Sequence, residues 1–377
     1  MKPGMGIHRI AYIAIPEISP ISGMGRIAWE WRAALARRGI DLVDFAGPCR
    51  HQNRHLAALR IWAAARRAAS GVYDAFLVHE PLAWTIGGER RPSIIFSHGV
   101  ESRGREAFKQ MLGRDGETIK SRCINRVLAG PIRRAFQKSR LFLTSNSEDC
   151  TYLTDKYGLA GNQLFLFRNG VDPMPWTESR AGIPRPVRIL FAGTWIGRKG
   201  IVTLVAAATR LRSEGVAVQW CLAGTGVAAE AVRQHFPAHL REAIEVIPRF
   251  AREEEANLLL QSDLFVLPSF FEGQPLALLQ AMEAGCAVIA SDTCGQRDIL
   301  QHNENGWLFP PGDVAALVRL IRQACENATL RRQIGAAAHA SMAHRRWPAV
   351  ADEVAGKIVA AVDASRCPPG SGENCQA

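Results

Sequence analysis

The sequence predicts an α/β fold built from two doubly wound domains, each with its own parallel sheet. Three observations lead to this prediction. The chain has 377 residues, which is more than one ordinary hydrophobic core organises. Short apolar runs typical of strands alternate with amphipathic helical patterns, as they do in parallel α/β proteins. The alternation then starts again after 173–187, a stretch rich in proline, glycine and polar residues that we interpret as a linker.

Six strands are predicted before the linker, namely RIAYIAI, DLVDFAG, AFLVH, SIIFSH, LFLTSN and LFLFRNGVD. The first two are separated by an amphipathic helix, GRIAWEWRAALARRG, which Gly39 ends. Five more strands are predicted after the linker, namely RILFAG, AVQWCLAG, IEVIPRF, LFVLPS and AVIASD. A last helical pattern covers about 349–362. Because ligands bind beyond the carboxyl ends of such strands, we expect the site in a cleft between the two domains.

The composition is that of a globular protein, with 47% hydrophobic and 21% charged residues. No apolar run approaches the roughly 18 residues that a spanning helix needs. The early run Ile10–Ile15 leads into Pro16 without a small-residue cleavage site, so we interpret it as a strand and not as a signal peptide. The nine cysteines are odd in number and lack zinc-site spacing. The cysteines therefore favour a reducing compartment and no metal site.

The net charge of +11 lies entirely in the first half of the chain. Residues 1–180 contain 27 Lys and Arg against 16 Asp and Glu, whereas residues 181–377 contain 19 of each. Many of the cations fall between Arg103 and Arg140, interleaved with apolar residues. This pattern favours basic amphipathic helices on an anionic membrane surface, with ordinary solvated helix faces as the alternative. Nucleic acid is less favoured, because no aromatic stacking platform accompanies the charge.

The segment ISGMGRIA contains the pattern G-x-G-x-x-A, which is found in dinucleotide-binding folds. Here a seven-residue insert, PEISPIS, separates the first strand from Gly23, whereas dinucleotide binding needs a tight turn. Asp41 and Asp44 lie at a suitable distance for a ribose contact, so NAD binding stays open. A glycine-rich loop before a helix also suits any other phosphate.

Two further segments place polar side chains after predicted strands. In IIFSHGVESR, His98 follows a strand, and we expect Gly99 to leave it exposed toward the cleft, unless it is a core histidine. In LFAGTWIGRKGI, Arg198 and Lys199 lie near a helix start, where they can neutralise a diphosphate. The alternative is a pair of solvated cations on a loop.

The segment SFFEGQPLALLQAMEAG places Glu272 just after the strand DLFVLPS and before a helix. Pro275 suits the first turn of this helix, and Gly285 ends it. Gln280 lies about two turns inside. A carboxylate near a helix start either complements the helix dipole or, together with Gln280, binds a ligand, and spacing alone leaves both interpretations open.

Taken in order, these landmarks resemble family 4 retaining glycosyltransferases of glycosyltransferase group 1. The matching stretches span nearly all of residues 7–320 and are GMG, SHGV, RNGVD, FAGTWIGRKG, LAGTG, SDLFVLPSFFEGQPLALLQAMEAGCAVIASD and NGWLFPPGD. The stretch from Ser262 to Asp292 is the most specific. The resemblance implies the GT-B fold, in which two Rossmann-like domains face each other across a cleft. It predicts an acceptor-side domain over 1–178, a nucleotide-sugar domain over 179–345, a helix over 346–365 that packs back toward the first domain, and a disordered tail over 366–377.

The resemblance also implies roles for individual residues. Glu272 matches the first Glu of the family's E-x7-E motif, near the donor sugar, and Gln280 takes the place of the second Glu, which binds the ribose. If Gln280 binds the ribose, a Gln280→Glu variant is expected to bind the donor at least as well. Lys199 matches the diphosphate-binding cation, and Arg198 is expected to substitute for an arginine that the family carries where Thr194 stands.

His98 matches a histidine near the transferred sugar, so the expected catalytic residues are Glu272 and His98. The other implied positions share contact with the donor. They are Gly23, Gly25 and Leu276 at the diphosphate, Gly273, Gln274 and Pro275 in the sugar loop, and Arg249 and Phe250 at the base.

The implied reaction is hexosyl transfer with retention, from a UDP- or GDP-sugar to a hydroxyl of a glycan or lipid-linked acceptor. The family works without a metal or cofactor, in cell-surface polysaccharide or glycolipid synthesis. We expect a cytoplasmic protein, peripheral at the inner membrane face through its basic N-terminal domain, with no nucleic-acid partner. Two alternatives stay open: a catalytically weak GT-B protein that binds nucleotide sugar or supports a partner enzyme, suggested by Gln280, Thr194 and Pro275, and an NAD oxidoreductase.

Overall fold

The computed structural model describes residues 8–15, 17–21, 23–45, 54–86, 90–112, 119–175 and 186–364. The predicted tail over 366–377 and residues 176–185 of the predicted linker lie outside the described residues. The chain divides into two compact units. The first comprises Met1–Arg103, Asp115–Asn169 and Trp347–Ala377, and the second comprises Gly104–Arg114 and Gly170–Arg346.

The first unit contains a parallel six-stranded sheet. Its strands are β1 (His8–Ile13), β2 (Ile40–Asp44), β3 (Ala75–His79), β4 (Ser93–Phe96), β5 (Leu141–Thr144) and β6 (Leu164–Leu166). They lie in the order β2-β1-β3-β4-β5-β6, so the chain reverses its direction of progress across the sheet between β1 and β3. Every residue of β3, β4 and β5 is buried, as expected for parallel strands that are covered on both faces.

The helices of the first half are α1 (Gly23–Ala36), α2 (Arg54–Ser70), α3 (Glu101–Leu112), α4 (Ile119–Lys138) and α5 (Ser147–Tyr157). Most of α3 falls in the segment Gly104–Arg114, which groups with the second unit. The last helix of the chain, Trp347–Asp363, belongs to the first unit and packs against α1. Arg37 and Arg38 each donate to Asp352 Oδ1, at 2.9 and 2.8 Å.

The second unit contains another parallel six-stranded sheet. Its strands are β7 (Val187–Ala192), β8 (Val218–Ala223), β9 (Ile244–Ile247), β10 (Leu264–Leu267), β11 (Ala287–Ser291) and β12 (Trp307–Phe309). The helices are α6 (Ile201–Ser213), α7 (Ala229–Arg233), α8 (Arg252–Leu260), α9 (Leu276–Glu283), α10 (Cys294–Ile299), α11 (Val314–Glu326) and α12 (Ala328–Ser341), and Trp347–Asp363 is α13.

The strand order β12-β11-β10-β7-β8-β9 is the doubly wound order in which the first and fourth strands of the domain lie side by side. The predicted α/β fold with two parallel sheets is therefore confirmed. The sequence prediction missed β12, which has three residues with Trp307 and Phe309 buried, because so short a strand carries no clear alternation. Among the described residues, no helix is both long and apolar enough to cross a membrane.

Candidate functional site

In the second unit, the candidate site lies where the direction of winding reverses. β7 and β10 are neighbours in the sheet, with Ile189 opposite Leu264 and Leu190 opposite Phe265. The chain leaves β7 through a 3₁₀ turn, Gly197–Lys199, and leaves β10 through residues 268–275, which lead into α9. Since ligands of doubly wound sheets bind in the crevice at this reversal, the two loops mark the expected position of a ligand.

The two loops bring a buried carboxylate together with both predicted cations. Glu272 is 7% exposed, and its Oε1 lies 2.5 Å from Lys199 Nζ. Arg198 Nη1 lies 3.4 Å from Glu272 Oε2 and donates to the carbonyl oxygen of Phe271 at 3.1 Å. Lys199 is therefore paired and well buried, whereas the Arg198 side chain reaches Glu272 from an exposed position.

The charge state of Glu272 follows from this environment. Burial alone raises the pKa of a carboxyl group, but the adjacent Lys199 and Arg198 outweigh it and hold the pKa of Glu272 below its usual range. Glu272 is therefore ionised at neutral pH, and each of its oxygens lies beside a cation. A carboxylate in this state suits the hydroxyl groups of a sugar and is unsuited to act as a general acid.

A glycine fixes the spacing between the two loops. Gly200 follows Lys199 with a φ of 72°, and a Cβ placed on it would lie 1.9 Å from the carbonyl oxygen of Pro268. The backbone is further joined by a hydrogen bond of 2.9 Å from Phe270 N to the carbonyl oxygen of Arg198. A residue with a side chain at position 200 would separate the cations from Glu272.

The predicted sugar loop, Gly273 to Pro275, is buried and held by its neighbours. A Cβ on Gly295 would lie 1.5 Å from the carbonyl oxygen of Gly273, so α10 approaches this loop backbone to backbone. Arg345 Nη1 donates to Gln274 Oε1 at 3.2 Å. Pro275 precedes α9, whose first residue is Leu276; the N–H groups of Leu278 and Leu279 donate to the carbonyl oxygen of Pro275, so only the first two residues of the helix have N–H groups with no acceptor in the helix. These donors and the helix dipole favour an anion beside Leu276.

Gln280 lies on α9 and is 6% exposed. Its Nε2 donates to Asp172 Oδ2 at 3.4 Å, whereas its Oε1 is buried without a hydrogen-bond partner among the described residues. The position is therefore not an ordinary core position, because a buried amide oxygen normally finds a donor.

The predicted base-binding residues follow β9. Arg249 is exposed, and Phe250 is half-buried beside Gly224, where a Cβ would lie 3.2 Å from the phenyl ring. A small cavity opens next to Phe250 near the ends of β7 and β8. Its lining is mostly apolar and comprises Leu190, Ala192, Ala223, Phe250, Glu255, Leu258, Leu259 and Ala277.

The first unit holds the other predicted residues. Gly23 and Gly25 are the first and third residues of α1, so they form its first turn and not a loop before it. The carbonyl oxygen of Gly25 accepts from Ser19 N at 3.2 Å, which folds the preceding segment back over the helix start.

His98 follows β4 and differs from the expectation of an exposed strand-end histidine. Both of its ring nitrogens are buried without a hydrogen-bond partner among the described residues. Its ring is surrounded by the rings of His79, Trp31, Phe96 and Phe167, at centroid distances of 5.8, 6.3, 5.5 and 6.0 Å. Burial, with a smaller contribution from His79, lowers the pKa of His98 to about 3.

Sequence reasoning missed His79. It ends β3 at the reversal point of the first sheet, and its Nδ1 is also buried without a partner among the described residues. Burial lowers the pKa of His79 to about 4. The available signal was a polar residue at the end of the otherwise apolar strand AFLVH. Two neutral imidazoles therefore lie side by side at the carboxyl edge of this sheet.

Among the described residues, no group of three or more His, Cys, Asp or Glu side chains is placed to hold a metal ion. The positive charge at the reversal point of the second sheet comes from Arg198 and Lys199 instead.

Residues 178–341 match the family described as glycosyl transferases group 1. A curated relative, the amylovoran biosynthesis glycosyltransferase AmsK of Erwinia amylovora, is 27% identical over 172 residues, which cover 44% of this chain and 42% of the relative. The chain thus spans about two fifths of the length of the first curated relatives it matches.

Two solved structures share the fold over almost the whole chain. Sucrose-phosphate synthase (tll1590) from Thermosynechococcus elongatus is 19% identical with a TM-score of 0.77, and the match covers 95% of this chain and 100% of that one. Anabaena Alr3699/HepE in complex with UDP and glucose is 17% identical with a TM-score of 0.67, and the match covers 94% and 100%. These likenesses confirm the fold that the sequence predicted.

Proposed function

We propose that this chain, a GT-B protein of the glycosyl transferases group 1, moves a hexose from a nucleotide-diphosphate sugar to a hydroxyl of a glycan or lipid-linked acceptor. The anomeric configuration is retained. The observation that carries the proposal is the pairing of buried Glu272 with Lys199 and Arg198 at the reversal point of the second sheet. This pairing places a hydroxyl-binding carboxylate beside two phosphate-binding cations.

Lys199 and Arg198 stabilise the leaving group in this mechanism. When the donor binds, its diphosphate becomes their partner, and the N–H groups beside Leu276 add donors from the start of α9. Negative charge grows on the phosphate as the sugar leaves, so preorganised cations favour the transition state over the ground state. These groups supply the charge stabilisation that a metal ion gives in other enzymes, and we propose a metal-independent reaction.

Glu272 orients the sugar. As an ionised carboxylate it accepts hydrogen bonds from donor hydroxyls, and the loop Gly273–Pro275 encloses them. The bond from the anomeric carbon to the phosphate oxygen breaks while a bond from that carbon to the acceptor oxygen forms on the same face. The acceptor proton passes to the departing phosphate oxygen, so neither step requires Glu272 to be protonated.

The remaining roles follow the family resemblance. Gln280 binds the ribose, Arg249 and Phe250 contact the base, and Gly23 and Gly25 contribute to phosphate binding. His98 contacts the transferred sugar. Because its pKa is about 3, His98 acts as a neutral hydrogen-bonding group and not as an imidazolium.

The class of substrate draws support from the similar proteins. AmsK is named as an amylovoran biosynthesis glycosyltransferase, and HepE was solved in complex with UDP and glucose. We therefore propose a cell-surface polysaccharide or glycolipid as the product and a UDP- or GDP-sugar as the donor.

The basic helix α4 supports a peripheral membrane location. It exposes Ile124 (42%) and Val127 (73%) next to the exposed Arg122 and Arg126. Exposed apolar side chains beside cations suit the anionic face of a membrane, where a lipid-linked acceptor is reached without leaving the surface. We propose the cytoplasmic face as the site of action.

Two measurements test the function. Thermal unfolding with UDP, GDP and ADP is expected to show a raised midpoint for one of them, because a ligand of the folded state stabilises it. Radiolabelled UDP- and GDP-sugars are then expected to show transfer, or slow hydrolysis without an acceptor. The alternative of a binding protein would be favoured by two results together: wild type binds the donor without turnover, and Glu272→Ala binds it equally well. If no nucleotide raises the midpoint and no labelled sugar is transferred or hydrolysed, the proposal is refuted.

A further inference from the structure

We propose that Asp172 is the positioning residue that makes Gln280 a ribose acceptor, so that residues 172 and 280 act as a matched donor–acceptor pair. The inference rests on the proposed nucleotide-sugar function and deepens it. The juxtaposition that carries it is the contact of 3.4 Å from Gln280 Nε2 to Asp172 Oδ2, which leaves Gln280 Oε1 buried and without a partner among the described residues.

Asp172 is held independently of Gln280. The preceding Val171 donates its N–H to the carbonyl oxygen of Arg345 at 2.7 Å and is itself 1% exposed. Arg252, at the start of α8, donates from Nη2 to Asp172 Oδ2 at 2.9 Å. The Asp172 carboxylate is therefore fixed by the backbone on one side and by a cation on the other.

The fixed carboxylate sets the orientation of the Gln280 side-chain amide. An ionised carboxylate only accepts hydrogen bonds, so the amide must present its NH₂ group to Asp172. The amide oxygen then faces away from Asp172 in a site that is 6% exposed. A buried acceptor without a donor is unfavourable, and a ribose hydroxyl supplies the donor that it lacks.

An amide at position 280 fits this arrangement, because its NH₂ group donates to Asp172 while its oxygen can accept from the ribose. A glutamate there would place a second carboxylate beside Asp172, and two carboxylates at this distance repel each other. The family resemblance alone implies that Gln280→Glu binds the donor at least as well, whereas the neighbouring Asp172 leads us to expect weaker binding. Asp172→Asn is expected to restore binding, because the asparagine amide would donate to the new glutamate.

The test uses calorimetry of the full chain with whichever of UDP, GDP and ADP binds most tightly, and with its 2′-deoxy and 3′-deoxy analogues. Wild type is expected to lose about tenfold in affinity toward at least one deoxy analogue, the usual effect of one hydrogen bond. Asp172→Ala releases the amide, so the ratio of ribo to deoxy affinity is expected to fall to within about twofold. A Glu304→Ala variant, which removes an exposed carboxylate elsewhere in the unit, is expected to keep the wild-type ratio.

The pair is then exchanged in a double-mutant cycle. Gln280→Glu is expected to bind the ribonucleotide about tenfold more weakly than wild type, and Asp172→Asn combined with Gln280→Glu is expected to recover to within about threefold. Thermal midpoints of all variants separate this coupling from unfolding. An unchanged ribo-to-deoxy ratio in Asp172→Ala, or equal affinities of the single Gln280→Glu and the double variant, would overturn the inference alone. If wild type binds no nucleotide, or if Lys199→Ala binds it as tightly as wild type does, the proposed function fails as well.

Discussion

Lys199 Nζ lies 2.5 Å from Glu272 Oε1, and the pair joins the loops that follow β7 and β10. The two side chains are 15% and 9% exposed. A pair this well buried contributes little net stability, but removing one partner leaves the other charge uncompensated. The pair therefore matters mainly because it holds the two side chains in place before the donor arrives, which lowers the cost of ordering them on binding.

We expect Lys199→Ala to weaken the binding of UDP more than that of UMP. The reason is that Lys199 contacts the diphosphate, and a hydrogen bond to a charged group contributes about 1.5–3 kcal/mol, or roughly 10- to 100-fold in affinity. Calorimetry with both nucleotides measures the difference. Arg212→Ala, which removes an exposed cation from the far end of α6, serves as the control and is expected to change neither affinity. Equal losses for UDP and UMP in Lys199→Ala would argue against the assigned role.

We expect Glu272→Gln to lower the rate of sugar transfer by about 100-fold or more, because the neutral amide accepts the sugar hydroxyls less strongly as charge develops. The affinity for UDP alone, which lacks the sugar, is expected to stay equal or rise, since Lys199 and Arg198 lose a competing carboxylate. Steady-state kinetics and UDP titration check the two halves separately. A variant with full transfer activity would rule out Glu272 as the sugar-binding carboxylate.

The same carboxylate gives a pH dependence of stability. Since the pKa of Glu272 is lower in the folded than in the unfolded state, its contribution is fully present above the unfolded carboxyl pKa and is lost as pH falls toward the folded value. Urea unfolding between about pH 3 and 7 is expected to show a shallower acid decline in Glu272→Gln than in wild type. The same slope in both proteins would mean that Glu272 is not stabilised by its cations.

The imidazoles of His79 and His98 predict a loss of stability in the same direction as Glu272, toward acid, but beginning at a higher pH. Their pKa values, about 4 and about 3, lie below the ordinary histidine value, so the unfolded chain binds protons that the folded chain does not. Stability is therefore expected to fall as pH drops below about 6.5, by up to about 1.4 kcal/mol per pH unit for each histidine. Replacing His79 by Phe is expected to remove part of this slope. The profile of kcat/KM against pH is expected to show no inflection from His98 near pH 6.5; an inflection there that disappears in His98→Asn would contradict the buried, neutral state.

Most of the strands, and the three charged residues of the candidate site, could be predicted from the sequence because short stretches of it carry clear patterns. Apolar runs bounded by glycine and proline mark the buried strands, and the cations of GRKG and the carboxylate of FFEG lie in the loops that follow two of them. What the sequence does not contain is the sheet order. Only the adjacency of β7 and β10 brings Lys199 to Glu272, which lie 73 positions apart by their numbers.

The residues that sequence reasoning missed are those whose importance depends on contacts between distant segments. Asp172 stands at the edge of a predicted linker, and nothing in RNGVD indicates that it meets α9. His79 looks like the end of an ordinary strand until the structure shows its ring beside that of His98. Burial of unpartnered polar atoms is a three-dimensional property, and no spacing rule reveals it.

We expect Gly200→Ala to destabilise the second unit and to weaken nucleotide binding. The substitution adds both a strained left-handed backbone and a clash with the carbonyl oxygen of Pro268. Gly215→Ala is the matched control, because Gly215 has a similar φ of 74° but no atom within 4 Å of an added Cβ. Gly215→Ala is expected to cost about 1–2 kcal/mol from the backbone alone. The free energy of unfolding and the affinity for UDP are measured for both variants, and the difference between them reports the close approach of Gly200 to Pro268. Equal losses in the two variants would show that this approach does not matter.

The exposed apolar side chains of α4 predict membrane binding that depends on both apolar contact and charge. We expect Val127→Glu to reduce co-sedimentation with phosphatidylglycerol vesicles by about 10-fold or more. The glutamate would place a charge in the apolar part of the membrane interface and would be repelled by the anionic lipids. Val72→Glu is the matched control, because Val72 is also exposed (86%) in the first unit but lies outside the basic helix. Wild type is expected to bind phosphatidylcholine vesicles weakly and to leave the anionic ones as salt rises. If Val127→Glu and Val72→Glu bind anionic vesicles equally well, the exposed face of α4 does not contact the membrane and is an ordinary charged helix face in water.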